Sequence, residues 1–215
     1  MKKRLLRILP LLVVLIILIL GFFAGRYLYR NVFGRVDVVL DAGHGGKDSG
    51  AIGGDVNEKD INLSIAKTTR EILKESGYKV KMIRNTDRFL ELTKRSEIAN
   101  QRKAKVYVSI HCNSSESGEG KGIETFYTEQ KEETDQELAK QIQKAVIKRT
   151  EASDRGVKTA NFTVLVTTNM PAALVETGFL TNETERERLQ ESDYQEKIAS
   201  GIAEGIVRYL ENKEN

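Results

Sequence analysis

The sequence predicts a single α/β domain with a largely parallel sheet, preceded by one transmembrane helix. Two patterns predict the domain. Strand-like and helix-like segments alternate from residue 36 onwards, which is typical of parallel sheets covered by helices on both faces. One strand-like segment, AALVET at 172–177, is apolar enough to lie in the centre of such a sheet. A third observation, an uncharged apolar run at residues 8–25, predicts the transmembrane helix.

The predicted elements of the domain follow one another in a regular order. Strands are expected at residues 36–41, 79–84, 105–111, 122–128, 162–167 and 172–177. Helices are expected at residues 60–76, 93–103, 133–150, 181–190 and 194–211. In the first helix, Ile61, Ile65 and Leu73 recur on one side, and Gly77 ends it. Functional residues are expected outside the carboxyl ends of the strands, where sites gather in such sheets.

The N-terminal apolar run is 18 residues long, which is enough to cross a bilayer core of roughly 30 Å. Four basic residues precede it: Lys2, Lys3, Arg4 and Arg7. The positive-inside rule therefore predicts a cytoplasmic N-terminus. A cleaved signal peptide is the alternative and would give a secreted form, but FFAGRY is a poor cleavage site. We predict that residues 1–35 form a cytoplasmic N-terminus, membrane anchor and collar, and that residues 36–215 form an extracytoplasmic domain held at the cell membrane.

Charge and cysteine content exclude several classes of partner and site. The whole chain carries a net charge of +3, but residues 1–35 contain seven basic residues and no acidic one. The remaining domain therefore has a net charge of −4, without a basic stripe interleaved with aromatic residues, so we expect no nucleic-acid partner. A single cysteine, Cys112, excludes an intramolecular disulfide and a cysteine-rich zinc cluster.

Both histidines of the chain stand at the ends of predicted strands. His44 follows VVLDAG and lies among glycines, and His111 ends VYVSI and precedes small polar residues. Imidazole nitrogens bind Zn²⁺ well, and a catalytic zinc site takes three protein ligands while leaving one position open. The two histidines therefore indicate a zinc site that needs a third ligand, most plausibly a carboxylate.

Glu58 is the best candidate for the third ligand, because it follows a glycine-rich loop at the start of a predicted helix. An acidic residue in a first helical turn is also common for purely electrostatic reasons. On chemistry alone, three nearby acids compete with it: Asp48, Asp55 and Asp60. The residues themselves leave this choice open.

Glu176 is a candidate general base for a hydrolytic zinc site. It follows the apolar run AALV and precedes Thr177 and Gly178. A glutamate in such surroundings is costly to bury unpaired, and a metal hydrolase needs a base beside the attacking water. A strand-end residue that reaches solvent is the plain alternative.

Other chemistries fit the sequence less well. The glycine cluster is not a phosphate-binding loop, because Asp48 follows Lys47 where Ser or Thr is required. No G-x-S-x-G motif is present, which argues against the common serine hydrolase. Cys112 is adjacent to His111 and should point to the opposite face of the strand, so we expect a small buried side chain there.

Four segments together resemble the motifs of zinc-dependent N-acetylmuramoyl-L-alanine amidases, which cut the amide between the glycan and the stem peptide of peptidoglycan. These segments are DAGHGGKDSGA (41–51), NEKDINL (57–63), SIHCNS (109–114) and PAALVETGFLTN (171–182). RSEIAN (95–100) and KGIETFY (121–127) match regions between these motifs. The resemblance extends over residues 36–211 in order.

This resemblance implies a single α/β domain with a mixed, mostly parallel sheet between helices. It also implies that Zn²⁺ is bound by His44, Glu58 and His111 and that Glu176 is the catalytic acid and base. Peptidoglycan would be the substrate. Two alternatives stay open: a non-catalytic wall-binding homologue that kept the fold, and a zinc peptidase that cuts within the stem peptide.

Some members of this family carry an inserted helix after the second histidine, which blocks the zinc site until a partner removes it. Here only residues 112–121 separate His111 from the segment GIETFY. Ten residues are too few for a stable helix with two connections. We therefore expect an enzyme that needs no obligatory activator protein.

Overall fold

The computed structural model describes residues 13–26 and 34–214. Contacts divide the chain into two compact units, Met1–Arg35 and Val36–Asn215. In the first unit, residues 13–26 form helix α1. The predicted cytoplasmic N-terminus, the first part of the predicted transmembrane segment and most of the collar lie outside the described residues. Among the described residues no helix is both long and apolar enough to span a membrane, so the predicted transmembrane helix is not confirmed.

Six strands of the second unit form one sheet in the order β4-β1-β5-β8-β6-β7, and a two-stranded hairpin, β2-β3, lies apart from it. The strands are β1 (Val38–Ala42), β2 (Ile52–Gly53), β3 (Val56–Asn57), β4 (Val80–Met82), β5 (Val106–Asn113), β6 (Ile123–Tyr127), β7 (Asp154–Thr159) and β8 (Ala172–Phe179). Within the large sheet formed by the described residues, β6 and β8 are the one antiparallel pair and all other neighbours are parallel. The predicted mixed, mostly parallel sheet is confirmed.

Helices cover both faces of this sheet. After α1 they are α2 (Glu58–Glu75), α3 (Leu92–Arg102), α4 (Glu132–Thr150), α5 (Thr163–Val166), α6 (Glu183–Gln190) and α7 (Ser192–Glu214). A short 3-10 turn, Glu129–Lys131, precedes α4. These connections return the chain between parallel strands, as such sheets require.

Two hydrophobic cores result because successive strand residues point to opposite faces of the sheet. The larger core packs α2, α4 and α7 against residues such as Leu40, Val108 and Val175. On the opposite face, Tyr107 and Leu174 pack with α3 and α5 in a smaller core. His111 of β5 and Glu176 of β8 point to this second, less covered face.

Two sequence predictions of local structure are corrected. The segment 162–167, expected to be a strand, forms the short helix α5, because periodicity cannot separate a short apolar strand from a buried helical turn. Strand β7 was not expected, since its sequence DRGVKT is polar and contains glycine. It lies at the edge of the sheet, where one side needs no buried partner.

Candidate active site

The two histidines lie close together at the carboxyl ends of neighbouring strands. His111 is in β5, and His44 follows β1, which pairs with β5 in parallel. Their ring centroids are 4.9 Å apart. The Glu58 carboxylate lies between them, with Oε1 at 3.1 Å from His44 Nε2 and 2.9 Å from His111 Nδ1. Ligand atoms of all three residues lie within 4.8 Å of one another, which is a possible metal-binding group.

Glu58 is buried at the first position of α2 and accepts hydrogen bonds from several groups besides the imidazoles. Ala51 N donates to Oε2 at 2.8 Å, while Asn62 Nδ2 and Cys112 N donate to Oε1 at 3.0 and 3.1 Å. Burial raises the pKa of the Glu58 carboxyl, but hydrogen bonds from His111 and His44 outweigh it and hold the pKa well below its usual range. The carboxylate is therefore ionised and fixed in position.

The three competing acids lie elsewhere. Asp55 and Asp60 are exposed and are not part of the metal-binding group. Asp48 contacts the other nitrogen of His44, with Oδ2 at 2.9 Å from Nδ1. A carboxylate in this place orients a metal-binding imidazole and leaves its second nitrogen for the ion. Burial lowers the pKa of His44, but the hydrogen bonds that its ring donates to Glu58 and Asp48 outweigh this effect and raise the pKa to about 8.

Two glycines of the His44 loop make room for the neighbouring ligands. A Cβ atom on Gly43 would lie 2.2 Å from His111 Cε1. A Cβ atom on Gly50, which has a φ of +66°, would lie 2.4 Å from Glu58 Oε2 and 2.6 Å from His44 Cδ2. Real side chains do not approach this closely, so the three ligands can converge only if these two positions are glycine.

Glu176 lies in β8 directly opposite His111 of β5 in the sheet register. Its Oε2 atom is buried and has no hydrogen-bond partner among the described residues. Burial raises the pKa of the Glu176 carboxyl to about 7, and the negative charges of Glu58 and Glu124 add to this effect against the opposing charge of His111. The sequence expectation of a glutamate in apolar surroundings agrees with this environment, although β8 continues to Phe179 beyond it.

A cavity of about 480 Å³ opens beside these residues. Its lining includes His44, His111 and Glu176. Six apolar side chains also line it: Phe89, Leu90, Leu92, Phe162, Val164 and Leu174. Such a cavity, with convergent polar groups among apolar ones, is typical of a site for an organic substrate.

Comparison with known sequences identifies the family. Residues 38–208 match the sequence model of the N-acetylmuramoyl-L-alanine amidases. The chain belongs to this amidase family. It is accordingly a hydrolase that cuts the amide between N-acetylmuramic acid and L-alanine in peptidoglycan, as the sequence resemblance implied.

Individual relatives agree with this assignment. The amidase is 34% identical over 223 residues to the germination-specific N-acetylmuramoyl-L-alanine amidase of Bacillus subtilis, covering 91% of this chain and 94% of the relative. It is also similar to the catalytic domain of CwlV, an N-acetylmuramoyl-L-alanine amidase from Bacillus (Paenibacillus) polymyxa var. colistinus. That structure has 42% identity and a TM-score of 0.78, with coverage of 82% of this chain and 98% of CwlV.

A third relative bears on partners. The CwlD amidase from Clostridioides difficile was solved in complex with the GerS lipoprotein. It matches with 36% identity and a TM-score of 0.78, covering 83% of this chain and all of that chain. The expectation that the amidase needs no activator protein is therefore not supported by its relatives.

Two buried arginines hold the His44 loop, and the sequence reasoning assigned neither of them a role. Arg95 donates to Asp41 Oδ1 at 2.8 Å, to Ala42 O at 2.9 Å and to His44 O at 2.8 Å. Tyr107 Oη donates to the other Asp41 oxygen at 2.5 Å. The only signal for this role was that Arg95 begins RSEIAN, which resembles the amidase family between its motifs.

Arg84 holds the same loop and shares the acceptor Ala42 O with Arg95. Its guanidinium donates to Ala42 O and Gly43 O, both at 2.8 Å, and to Lys59 O at 2.7 Å. Burial lowers the pKa of Arg84, and the charge of Arg95 adds to this effect. Arg84 and Arg95 together fix the backbone that presents His44.

Cys112 has the predicted small buried environment. Its Sγ atom lies 3.5 Å from Asn62 Oδ1 and 3.4 Å from Thr177 Oγ1. Burial raises the pKa of the Cys112 thiol well above its usual value. The thiol is therefore neutral and belongs to the larger core, on the face away from the His111 side chain.

Proposed function

We propose that the amidase binds one Zn²⁺ through His44, Glu58 and His111 and that Glu176 is its catalytic acid and base. The observation that supports this proposal is the convergence of the three ligand atoms beside a buried carboxylate oxygen that no group in the described part of the chain contacts by a hydrogen bond. Two imidazoles and one carboxylate form a donor set of the kind found in catalytic zinc sites. The short contacts of both histidines with Glu58 place these donors where one cation would contact all three.

Zn²⁺, when bound, supplies Lewis acidity to the scissile carbonyl and to the attacking water. The chain provides the proton transfers. With its pKa raised to about 7, Glu176 is ionised in a large fraction of molecules at neutral pH and can accept a proton from water. Glu176 can then return this proton to the departing amine of L-alanine, so that the catalyst is regenerated.

Residues around the ligands keep this geometry in place. Asp48 holds the second nitrogen of His44, while Arg95 holds the carbonyl oxygen of the same residue. Leu92 and Phe162 line the same cavity and offer apolar surface to the polymer, while Glu176 carries out the proton transfers.

Product masses test the assigned reaction against both alternatives. Purified metal-loaded enzyme should release intact stem peptides from cell walls and leave glycan whose muramic acid is unsubstituted. Cleavage within the peptide would show a zinc peptidase instead. No products at all, from a folded protein that still binds cell walls, would show a non-catalytic homologue.

We also propose that the amidase acts outside the cytoplasm and is held at the membrane by a single N-terminal span. The support is the basic N-terminus followed by the apolar run at 8–25. The substrate agrees with this location, because mature peptidoglycan lies outside the cytoplasmic membrane. A secreted form would arise if this segment were cleaved.

A further inference from the structure

A row of charged side chains crosses the sheet from the candidate metal site towards its edge. Glu176 of β8 is directly opposite His111 of β5 on one side and Glu124 of β6 on the other. Directly opposed residues of paired strands point to the same face of a sheet. The Glu124 carboxylate therefore lies one strand beyond the proposed catalytic base, on the face that carries the active site.

Two basic residues of the edge strand β7 extend this row. Arg155 Nε donates to Glu124 Oε2 at 2.9 Å, and Lys158 Nζ contacts the same oxygen. The other oxygen of Glu124 accepts a hydrogen bond from Asn113 Nδ2 at 2.6 Å. Two cations thus contact one carboxylate, so that Arg155 and Lys158 together carry more charge than Glu124 alone neutralises.

These two cations are accessible, whereas the carboxylate that positions them is not. The Glu124 side chain is 5% exposed, but those of Arg155 and Lys158 are 36% and 43% exposed. Helix α4 packs into the core on the other face of the sheet, which leaves this side of β7 to solvent. The Arg155 guanidinium also lies 4.8 Å from the centre of the Phe179 ring, which restricts its direction.

The distances along this row of charged residues fit a stem peptide that extends from the scissile amide towards β7. Neighbouring strands are about 4.8 Å apart, so Glu124 and the ends of both basic side chains lie within one or two strand widths of Glu176. In a stem peptide, the residue after L-alanine is glutamate linked through its γ-carboxyl. Its free α-carboxylate lies roughly 7 Å from the scissile nitrogen in an extended chain.

We propose that Arg155 and Lys158 form a subsite for this free α-carboxylate and thereby select stem peptides whose second residue is not amidated. The proposal rests on the proposed function, since it places the scissile amide at Glu176. Arg binds carboxylates through a planar, directional group, and Lys adds a mobile positive charge. An amide at the same position carries no charge and presents N–H donors towards two cationic donors.

A pair of synthetic muramyl tripeptides, identical except for carboxylate or carboxamide at the second residue, tests the subsite. The full-length metal-loaded enzyme should cleave the carboxylate substrate with a kcat/KM about five- to ten-fold higher, as expected for a partly solvated charged contact. Arg155→Gln and Lys158→Gln should each bring this ratio close to one, mainly through KM. Lys158→Arg should keep the preference, because the charge is restored.

The matched control is Lys144→Gln, which removes an exposed lysine from α4, a helix that packs on the other face of the sheet. This control should keep the wild-type ratio. Equal rates on both substrates in the wild type, or a ratio unchanged in both variants, would overturn the subsite while leaving the amidase assignment intact. No hydrolysis of either substrate would overturn the proposed function and the subsite with it.

Discussion

Glu176 is the residue of this amidase to which we assign both proton transfers of the reaction. Replacing it with glutamine removes the proton acceptor while keeping the shape, and loss of a general base costs about 10²–10⁴ in rate. We expect Glu176→Gln to lose activity to this extent on purified cell walls, measured as free amino groups released over time. Turnover within a few-fold of the wild type would show that another group is the base.

The pH dependence of this residue has a defined sign. Because the pKa of Glu176 is raised to about 7, the carboxylate form that accepts a proton disappears as the pH falls below 7. We expect kcat/KM to decline about ten-fold per pH unit on this acidic limb. A limb centred near pH 4.5, the ordinary value for a glutamate, would contradict the buried environment.

The same raised pKa affects stability. The folded protein binds a proton at Glu176 more tightly than the unfolded chain does, so ionisation of this group destabilises the fold as the pH rises from about 5 to 7. At pH 8 the metal-free Glu176→Gln protein should therefore melt at a higher temperature than the metal-free wild type. Calorimetry gives this comparison independently of activity, and a lower melting temperature would contradict it.

Gly43 tests the steric part of the site at the same scale. Because a Cβ atom would lie 2.2 Å from the His111 ring, Gly43→Ala should displace this imidazole and weaken zinc binding at least ten-fold, measured by competition with a chelator. Gly77→Ala is the control, since Gly77 has a φ of +88° with nothing within 4 Å. It should lower stability without changing zinc affinity, and equal zinc affinities in all three proteins would refute the steric argument.

Among single residues, the two histidines and Glu176 could be predicted because each has a rare placement at or near the end of an apolar strand. The choice of Glu58 over Asp48 could not be made from local chemistry, since it depends on which carboxylate the hairpin turns towards His111. Glu124 carried no signal as a site residue, because its contacts with β7 and β8 form only when the sheet assembles.

At the scale of elements, the loop between β1 and β2 depends on Arg95, which donates to three carbonyl oxygens and to Asp41. Lysine keeps the charge but cannot reach these acceptors together. Arg95→Lys should cost about 2–3 kcal/mol in the free energy of unfolding and weaken zinc binding through His44. Denaturant titration and chelator competition measure the two effects, and a loss of stability with unchanged zinc affinity would reduce Arg95 to a structural role.

Elements with a strong apolar pattern were predicted close to their observed positions, as β5, β8 and α2 show. The helix α5 was misread because Val164 and Leu165 are buried in a segment of only four residues, which is too short to show helical periodicity. Strand β7 escaped prediction because its place depends on pairing with β6 and not on its own apolar content.

At the scale of the whole molecule, alternation of strands and helices was sufficient to predict the α/β class. The resemblance to the amidase family implied a mixed sheet but not which strands pair antiparallel. The antiparallel pairing of β6 with β8 was not predicted, since no local pattern of 122–128 indicates the direction of this strand. The same limit applies to the site, where residues from β1, β5, β8 and α2 meet although up to 132 positions separate them in the chain.

Location is a property of the whole chain. We expect the full-length amidase to fractionate with membranes, and proteases outside spheroplasts to digest residues 36–215 while a cytoplasmic marker stays intact. A variant that lacks residues 1–35 should not fractionate with membranes. Recovery of a species that begins near Arg26 as the major form would show that the segment is cleaved.

The zinc content of four purified proteins, measured by mass spectrometry of the metal, tests the central assignment most directly. The wild type and Glu176→Gln should each carry one zinc per chain, because Glu176 is proposed to move protons and not to bind the ion. His44→Ala and His111→Ala should each lose most of it. A wild type without zinc after loading, or full retention in both histidine variants, would contradict the proposed metal site.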